Sequence, residues 1–265
     1  MSNFINLEYW YVFPFAILVA ILANSSGFSG GVLFQPFFNF ILKVPIGQSI
    51  ATGIATETIG MSSGAVRYYL MNKVDISAVR KVFPFVFVGI ISGIFLFLHL
   101  PKQYLRLAVG IVIFSIASYQ LYLAYFNHFG NSYLADLKAL STVPSRIRSF
   151  FGGVGSACTG TGIAEMHQPL FEQEGNLETK RANASAVMIE ALGNWLITLV
   201  NLKLGNINFD ILLFSATGTL IGAQIGALIS LYLPDRLLKI VFGSSVCFIG
   251  VVYIATSLLQ ILHRT

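Results

Sequence analysis

Long apolar runs cover most of this chain, and the polar segments between them are short. The runs fall at 10–24, 30–42, 49–71, 82–98, 104–126, 149–158, 163–171, 182–202, 210–232 and 238–262. Several of them reach or approach the ~20 residues that a membrane-spanning helix needs. Only 10% of the residues are charged, too few to cover a water-facing surface, since soluble domains average about 25%. The pattern predicts an all-α integral membrane protein.

The charged and reactive residues exclude several other classes of protein. The net charge is +5, but the basic residues lie between apolar runs, which is typical of topology signals and lipid headgroup contacts rather than of nucleic acid binding. Cys158 and Cys247 belong to no metal or redox motif. We find no nucleotide-binding loop, HExxH, GxSxG or nucleophile–base pair, so we expect no enzyme activity, no metal and no cofactor. The first run has no basic residue before it, so we expect it to be retained rather than cleaved as a signal peptide.

The chain carries an internal duplication with a shift of 133 positions and no gaps. The most specific matches are Gln35/Gln168, Pro36/Pro169, Glu57/Glu190, Gly27/Gly160, Gly60/Gly193, Gly89/Gly222, Gly93/Gly226 and Gly110/Gly243. Similarity at one fixed period indicates repeated structural units. The polar stretch 127–148, which includes His128, separates a first membrane repeat at 1–126 from a second at 149–265. The paired glycines four residues apart in 89–93 and 222–226 favour tight helix packing.

Two membrane layouts are open for the short paired runs of each half. If 10–42 is one broken spanning helix, the halves are parallel and the basic residues divide eight against seven. If 10–42 enters and returns on one side, the halves are inverted and the division is ten against five, with Lys43, Lys102, Arg106, Lys203 and Arg264 on the minority side. Cytoplasmic loops carry the excess of Lys and Arg. We therefore predict two inverted repeats, each a broken or re-entrant helix pair followed by three spanning helices, with both termini outside. Ten short spans give the same sidedness and stay an alternative.

Each short pair is joined by a small, polar, glycine-rich stretch, Asn24–Gly31 in the first half and Gly152–Gly162 in the second. Interrupted helices persist at membrane depth only inside protein or beside water, and in transporters they meet at the substrate site. The free N–H groups at the start of each second half-helix favour an anion, and Ser29 and Thr161 are candidate caps there. Close helix packing is the alternative role for such residues. The predicted substrate-binding residues are Ser25, Ser26, Gly27, Ser29, Gln35, Cys158, Thr159, Gly160, Thr161, Gly162, Gln168 and Asn194.

Four titratable residues within the apolar runs are candidates for proton coupling. Glu57 and Glu190 occupy equivalent positions of the two repeats, and an acid inside a membrane helix is costly enough to indicate function. Glu190 shares one helix face with Asn183, Asn194 and Asn201, a stripe that fits either a cavity or an interhelical hydrogen-bond ladder. Glu165 and His167 follow the second glycine-rich stretch, where their mates in the first repeat are apolar. They form either a proton-carrying pair or a local hydrogen bond.

At these segments the chain resembles the TauE/SafE family of sulfite exporters, also called the sulfonate uptake permease family. The first half carries SGFSGGVLFQPFF and PIGQSIATG, and the second carries GSACTGTGIAEMHQPLF and KRANASAVMIEALGN in the same order. The resemblance covers both repeats. It implies a secondary carrier of sulfite, organosulfonates or related small anions. Glu165 and His167 depart from the pattern, since they put charge beside the expected site.

We therefore predict a multi-pass secondary transporter in the cell (inner) membrane, with its anion site between the repeats near the midplane. The expected partners are a small anionic solute and the lipid bilayer, not nucleic acid, and a homodimer stays open. The alternative is a passive anion channel, or a membrane sensor or assembly protein that transports nothing. A sensor normally needs a sizeable soluble domain, which the sequence lacks.

Overall fold

The protein is helical in the computed structural model, which describes residues 7–126 and 132–262. The helices are α1 Val12–Ser26, α2 Gly31–Pro36, α3 Ile46–Leu70, α4 Ile76–His99, α5 Lys102–Phe126, α6 Val143–Thr159, α7 Ile163–Gln173, α8 Thr179–Lys203, α9 Phe209–Ile229 and α10 Asp235–Leu262. A π-helical turn, Phe37–Ile41, continues α2 directly after Pro36. Of the residues used in the sequence predictions, His128 and Arg264 lie outside the described residues.

Four of the described helices are long and apolar enough to span a membrane: α4, most of α5, α8 and α9. Many large apolar side chains on them are exposed, for example Phe95 and Leu199. Exposed apolar area on this scale suits contact with acyl chains rather than water. The prediction of an all-α membrane fold is confirmed.

The helix bounds repeat with the period found in the sequence. α3 spans Ile46–Leu70 and α8 spans Thr179–Lys203, so both ends are displaced by the same 133 residues. Gly27 and Gly160, which follow α1 and α6, both have left-handed backbones, with φ of 77° and 68°. Each half therefore contains a short helix pair followed by three long helices.

The chain reverses direction at each short pair. The Phe37 ring stacks on the Phe15 ring with 3.9 Å between centroids, and it also contacts Tyr11. In the second half, Glu174 after α7 forms a 2.8 Å ion pair with Arg148 near the start of α6. One straight broken helix would separate Phe15 and Phe37 by about 30 Å at 1.5 Å per residue. The pairs are hairpins, as the second layout requires.

Helix α6 begins at Val143, inside the stretch predicted as the loop between the repeats. Pro144 lies in the first turn, where its missing N–H costs nothing and its fixed φ favours a helix. Arg146 is exposed near this turn and Arg148 is half-buried. The sequence analysis placed the start of this helix too late, because the first residues of α6 include polar side chains and the apolar run begins only at 149.

Glycine contacts join the two halves. Gly89 and Gly93 of α4 lie directly against the carbonyl oxygens of Phe150 and Val154 in α6. The equivalent Gly222 and Gly226 of α9 lie against the carbonyl oxygens of Ile17 and Ile21 in α1. Small residues allow helix backbones to approach this closely in membranes. The predicted packing role of these glycines is confirmed, and each hairpin is held by a helix of the other half.

Equivalent long helices of the two halves pack antiparallel. Along α3, residues Thr58, Ser62 and Tyr68 contact Thr198, Trp195 and Asn183 of α8 in descending order. In α5 and α10, Gly110 packs on Tyr253 and Phe114 packs on Gly250. The largest cluster of buried apolar side chains draws on both halves around these helices. This arrangement brings the two hairpin turns to the centre of the protein.

Candidate functional site

The helix interruptions are shorter than the glycine-rich stretches that predict them. They comprise Gly27–Gly30 and Gly160–Gly162, and we call them the first and second break. Ser25 and Ser26 lie in the last turn of α1, where both hydroxyls donate to Leu22 O. A serine hydroxyl bonded back to its own helix satisfies that carbonyl rather than a solute. Ser25 and Ser26 are buried beside the break, but they do not form it.

The end of α6 has the same arrangement. Thr159 Oγ1 donates to Gly155 O at 2.8 Å, within its own helix. Cys158 Sγ donates to Gly93 O of α4, so the thiol points at the helix interface. Neither side chain donates across to the first break, although both residues immediately precede Gly160.

The two breaks are in direct contact through Ser29. Its Oγ lies 3.0 Å from Gly160 O in the second break and 2.7 Å from Glu57 Oε1 on α3. It also accepts from Gly31 N at 3.2 Å, which satisfies one free N–H at the start of α2. Gly31 packs so closely on Gly160 O that a Cβ there would overlap it. Residues from distant parts of the chain thus form one buried polar centre.

Glu165 connects the breaks from the first turn of α7. Its Oε1 accepts from Ser29 N at 2.8 Å and from Thr161 Oγ1 at 2.8 Å, and its Oε2 accepts from Gly162 N at 2.9 Å. Thr161 was expected to cap α7, but its hydroxyl donates to the carboxyl instead. The carboxyl therefore takes one N–H from each break, and hydrogen bonds to a charged group of this kind are strong.

Glu57 and Glu190 face the same centre from α3 and α8. Glu190 Oε2 accepts from Ala164 N at 3.1 Å, and both side chains are fully buried. Glu57 Oε2 and Glu190 Oε1 have no hydrogen-bond partner among the described residues. Glu57, Glu165 and Glu190 are close enough to interact electrostatically. The structure thus gathers three acids at the contact of the two repeats.

The paired glutamines cross between the halves. The Gln35 amide packs directly on Gly160, and the Gln168 amide packs on Gly27, where a Cβ would lie 2.8 Å from Gln168 Oε1. Both glycines have left-handed φ, so any side chain there would add strain to the overlap. Gln35 Nε2 and Oε1 and Gln168 Oε1 lack partners among the described atoms. Each glutamine therefore presents unsatisfied polar atoms beside the break of the other repeat.

The asparagines on one face of α8 make different hydrogen bonds along the helix. Asn194 Oδ1 accepts from Ser156 Oγ at 3.1 Å, while its Nδ2 is unpartnered. Asn183 Nδ2 lies 3.2 Å from Tyr68 Oη and 3.3 Å from Ser25 O. Asn201 donates to Ile197 O in its own helix. The stripe is mainly a hydrogen-bond ladder, with Asn194 as its member beside the second break.

His167 and Glu165 do not form the predicted pair. His167 Nδ1 lies 2.7 Å from Ile163 O, and its ring lies beside Gly152 of α6. Residues two apart on a helix point in different directions, so Glu165 faces the breaks while His167 faces α6. His167 Nε2 is buried without a partner among the described residues.

Gln120 of α5 was missed by the sequence predictions. It is fully buried, and its Nε2 donates to Glu165 O at 2.7 Å. It lies within an apolar run, and a polar residue in such a helix is the signal that would have found it. A cavity of about 300 Å³ is lined by Ser115, Ile116 and Tyr119 of the same helix together with Arg148 and Met166.

Where the breaks meet, buried polar atoms of Gln35, Glu57, Gln168, Glu190 and Asn194 have no hydrogen-bond partner among the described residues. Other residues also carry such atoms, namely Asn24, Asn39, Arg67, Gln120, His167, Glu178, Arg181, Asn183 and Tyr253. Folded proteins leave few buried polar atoms unpaired, and each unpaired atom indicates a water, an ion or a functional role. The arrangement offers donors and acceptors from both repeats to a small polar solute.

The chain matches a model of a known protein family. The family model described as Sulfite exporter TauE/SafE matches residues 12–253, which contain both hairpins and nearly all of the long helices. No curated protein and no solved structure matches the chain.

Proposed function

The chain belongs to the Sulfite exporter TauE/SafE family, and on that premise we propose that it is a secondary transporter of a small anion. The solute is sulfite, an organosulfonate or a related sulfur-containing anion, and it crosses the cytoplasmic membrane. Its site is the contact of the two breaks, between the repeats and near the midplane. The family is one of membrane transporters, and the four long apolar helices agree with a multi-pass membrane protein.

One observation carries this proposal: buried polar atoms from both repeats converge without partners where two helices are interrupted. Glu57 and Gln35 come from the first half, and Glu190, Asn194 and Gln168 come from the second. Burying a polar group without a hydrogen bond costs about 1–3 kcal/mol in proteins. A transporter site explains that cost for the donors, because a bound anion would accept hydrogen bonds from Gln35 Nε2 and Asn194 Nδ2.

The same centre supports proton coupling. Ser29 has one hydroxyl proton but lies within hydrogen-bond distance of both Gly160 O and Glu57 Oε1. A carbonyl only accepts, so both contacts are satisfied together when Glu57 carries a proton and donates to Ser29. Two or three buried carboxylates without a cation repel one another. If protons move through this centre together with the anion, they neutralise the carboxylates, and the charge of the anion is not added to the charge of the carboxylates.

The test of transport is uptake of labelled sulfite into proteoliposomes, with and without a pH gradient. A carrier saturates and exchanges external for internal sulfite, whereas a channel conducts without exchange. We expect saturable uptake that a pH gradient stimulates. Empty liposomes reconstituted in parallel give the background. If neither sulfite nor an organosulfonate moves under any gradient, the proposed function is wrong.

The Glu190→Gln variant tests the coupling role in the same assay. The amide keeps the size of the side chain but cannot exchange a proton, so we expect stimulation by the pH gradient to fall at least fivefold. Glu178→Gln removes an acid at the start of α8, away from the breaks, and serves as the control. If the pH gradient stimulates uptake by the Glu190→Gln variant as much as uptake by the unmodified protein, Glu190 is not part of the coupling pathway.

We also propose that the repeats are inverted in the membrane. The antiparallel packing of α3 on α8 supports this, because a two-fold axis in the membrane plane reverses equivalent helices. Lys73 and Asn206 occupy equivalent loops in the two halves. With Cys158 and Cys247 replaced by serine, we expect an impermeant thiol reagent added outside intact cells to label Asn206→Cys and not Lys73→Cys. Labelling of both from one side would indicate parallel repeats.

A further inference from the structure

The Glu165 carboxyl already occupies the place that an anion would take. Its three hydrogen-bond donors are Ser29 N–H from the first break, Gly162 N–H at the start of α7 and the Thr161 hydroxyl between them. Free N–H groups at a helix start are the usual ligands of a bound anion. A carboxylate and a sulfite or sulfonate group both present negatively charged oxygens to such donors. An anionic solute and the Glu165 side chain therefore compete for the same N–H groups.

A second feature indicates that these donors serve a ligand and not only helix capping. Gln35 Nε2 is a fully buried donor that lies against Gly160 and Gly31 and has no partner among the described residues. A cap of α7 needs only the local contact with Gly162. The bond from Ser29 N–H comes from the opposite repeat, 136 positions away in the chain. The carboxyl therefore bridges the two breaks, and the unpaired amide donor of Gln35 lies at the contact of Gly160 with Gly31.

The groups around Glu165 decide what must happen before an anion binds. Glu57 faces it from α3 and Glu190 from α8, while α5 contributes the neutral amide of Gln120. His167 points to α6, and Arg148 lines the cavity beyond Met166 and is paired with Glu174. Within the described part of the chain, the titratable groups that face Glu165 are thus acids. An anion that entered next to ionised Glu165 would meet like charges in a buried site, which is strongly unfavourable.

We propose that Glu165 is a tethered competitor of the transported anion. When ionised, its carboxylate holds Ser29 N–H and Gly162 N–H and closes the site. When a proton from the aqueous phase binds to it, these hydrogen bonds lose their charge assistance, the side chain releases the two N–H groups and the solute takes them. Anion and proton then occupy the site together, one proton for each anion at this residue. This inference rests on the proposed function and adds the order of events at its site.

The test measures binding of methanesulfonate to the purified, detergent-solubilised protein by titration calorimetry over a range of pH. A sulfonate is a strong acid, so its charge stays constant over that range. Competition by one ionising group weakens apparent binding about tenfold per pH unit once that group ionises. We expect this behaviour in the unmodified protein. We expect the Glu165→Gln variant to bind at least tenfold more tightly at high pH and to keep only the weaker pH dependence that Glu57 and Glu190 contribute.

Glu172→Gln is the matched control. It makes the same change on the same helix, and Glu172 is also buried, but it lies two turns beyond the breaks. We expect it to keep the pH dependence of the unmodified protein. If Glu165→Gln does not fold, Glu165→Asp replaces it. The shorter aspartate side chain reaches both breaks less well and competes less, so this variant should bind the anion more tightly than the unmodified protein at high pH.

The outcomes separate this inference from the proposed function. Binding by the unmodified protein, with the same pH dependence in the Glu165→Gln variant, overturns the role of Glu165 and leaves the transporter intact. Absence of sulfite and methanesulfonate binding in both proteins at every pH overturns the proposed function and this inference with it.

Discussion

Replacing Gly31 with alanine is expected to reduce transport about 100-fold while the protein still folds. A Cβ at this position would overlap Gly160 O, so the two breaks must move apart. The movement stretches the bonds from Ser29 to Gly160 O and to Glu165 Oε1. A hydrogen bond to a charged group contributes about 1.5–3 kcal/mol and a neutral one about 0.5–1.5 kcal/mol, and 1.4 kcal/mol corresponds to a factor of ten. Losing both bonds therefore accounts for a loss of about two orders of magnitude.

The backbone itself tolerates this substitution. Gly31 is helical and is not among the glycines with positive φ, so alanine adds no conformational strain there. Gly47 is a matched control, because it also lies in the first turn of a helix but has no neighbour nearer than 4.0 Å to a Cβ. Initial rates of sulfite uptake, normalised to reconstituted protein, should be close to normal for Gly47→Ala. Normal uptake by Gly31→Ala would mean that contact between the breaks is not required for transport.

The duplication could be predicted because the residues that match between the halves are of types that are rare in apolar helices. Gln35 and Gln168, and Glu57 and Glu190, recur with one shift, and the structure places all four where the breaks meet. Charge counting favoured the layout in which the short pairs return. The hairpin shape of those pairs agrees with that layout. Charge counting could favour it because the distribution of Lys and Arg depends on which side of the membrane each loop lies.

The role of Glu165 could not be predicted from the repeat. Its mate in the first half is Val32, whose side chain accepts no hydrogen bonds, so the shift of 133 positions gives no equivalent carboxyl in the first repeat. Its contact with Ser29 depends on how the two hairpins dock, and each hairpin packs on a helix of the other half. The same holds for Gln120, whose repeat mate, Tyr253, makes no comparable hydrogen bond among the described contacts.

The extent of each break was also overestimated from sequence. Glycine and serine run from Asn24 to Gly31 and from Gly152 to Gly162, and both residue types are common in turns. Most of the glycines in the second stretch instead lie inside α6, where Gly153 allows α4 to pack closely and Gly152 and Gly155 lie against the second break. Only Gly160 and Gly162 adopt positive φ there. Composition alone does not separate a glycine that ends a helix from one that lets a neighbour approach.

That packing leads to the second large effect, on stability. A Cβ on Gly89 would overlap Phe150 O and lie 3.2 Å from Gly153 Cα, so it meets backbone that no side-chain rotation can relieve. Overpacking a tight interface typically costs about 1–3 kcal/mol. Because α4 holds the hairpin that carries the second break, we expect Gly89→Ala to lower the free energy of unfolding by about 3 kcal/mol.

Unfolding in mixed micelles, followed by circular dichroism as denaturing detergent increases, measures this loss. Gly222→Ala is the equivalent change in the other repeat, since its Cβ would overlap Ile17 O in α1, and it should destabilise by a similar amount. In Gly47→Ala the methyl group meets open space within a helix, and alanine is favoured over glycine there by up to about 1 kcal/mol. That variant should be as stable as the unmodified protein or slightly more stable. A small effect at Gly89 with a large one at Gly222 would mean that the two hairpins are held differently, although the same glycine spacing joins each of them to the opposite half.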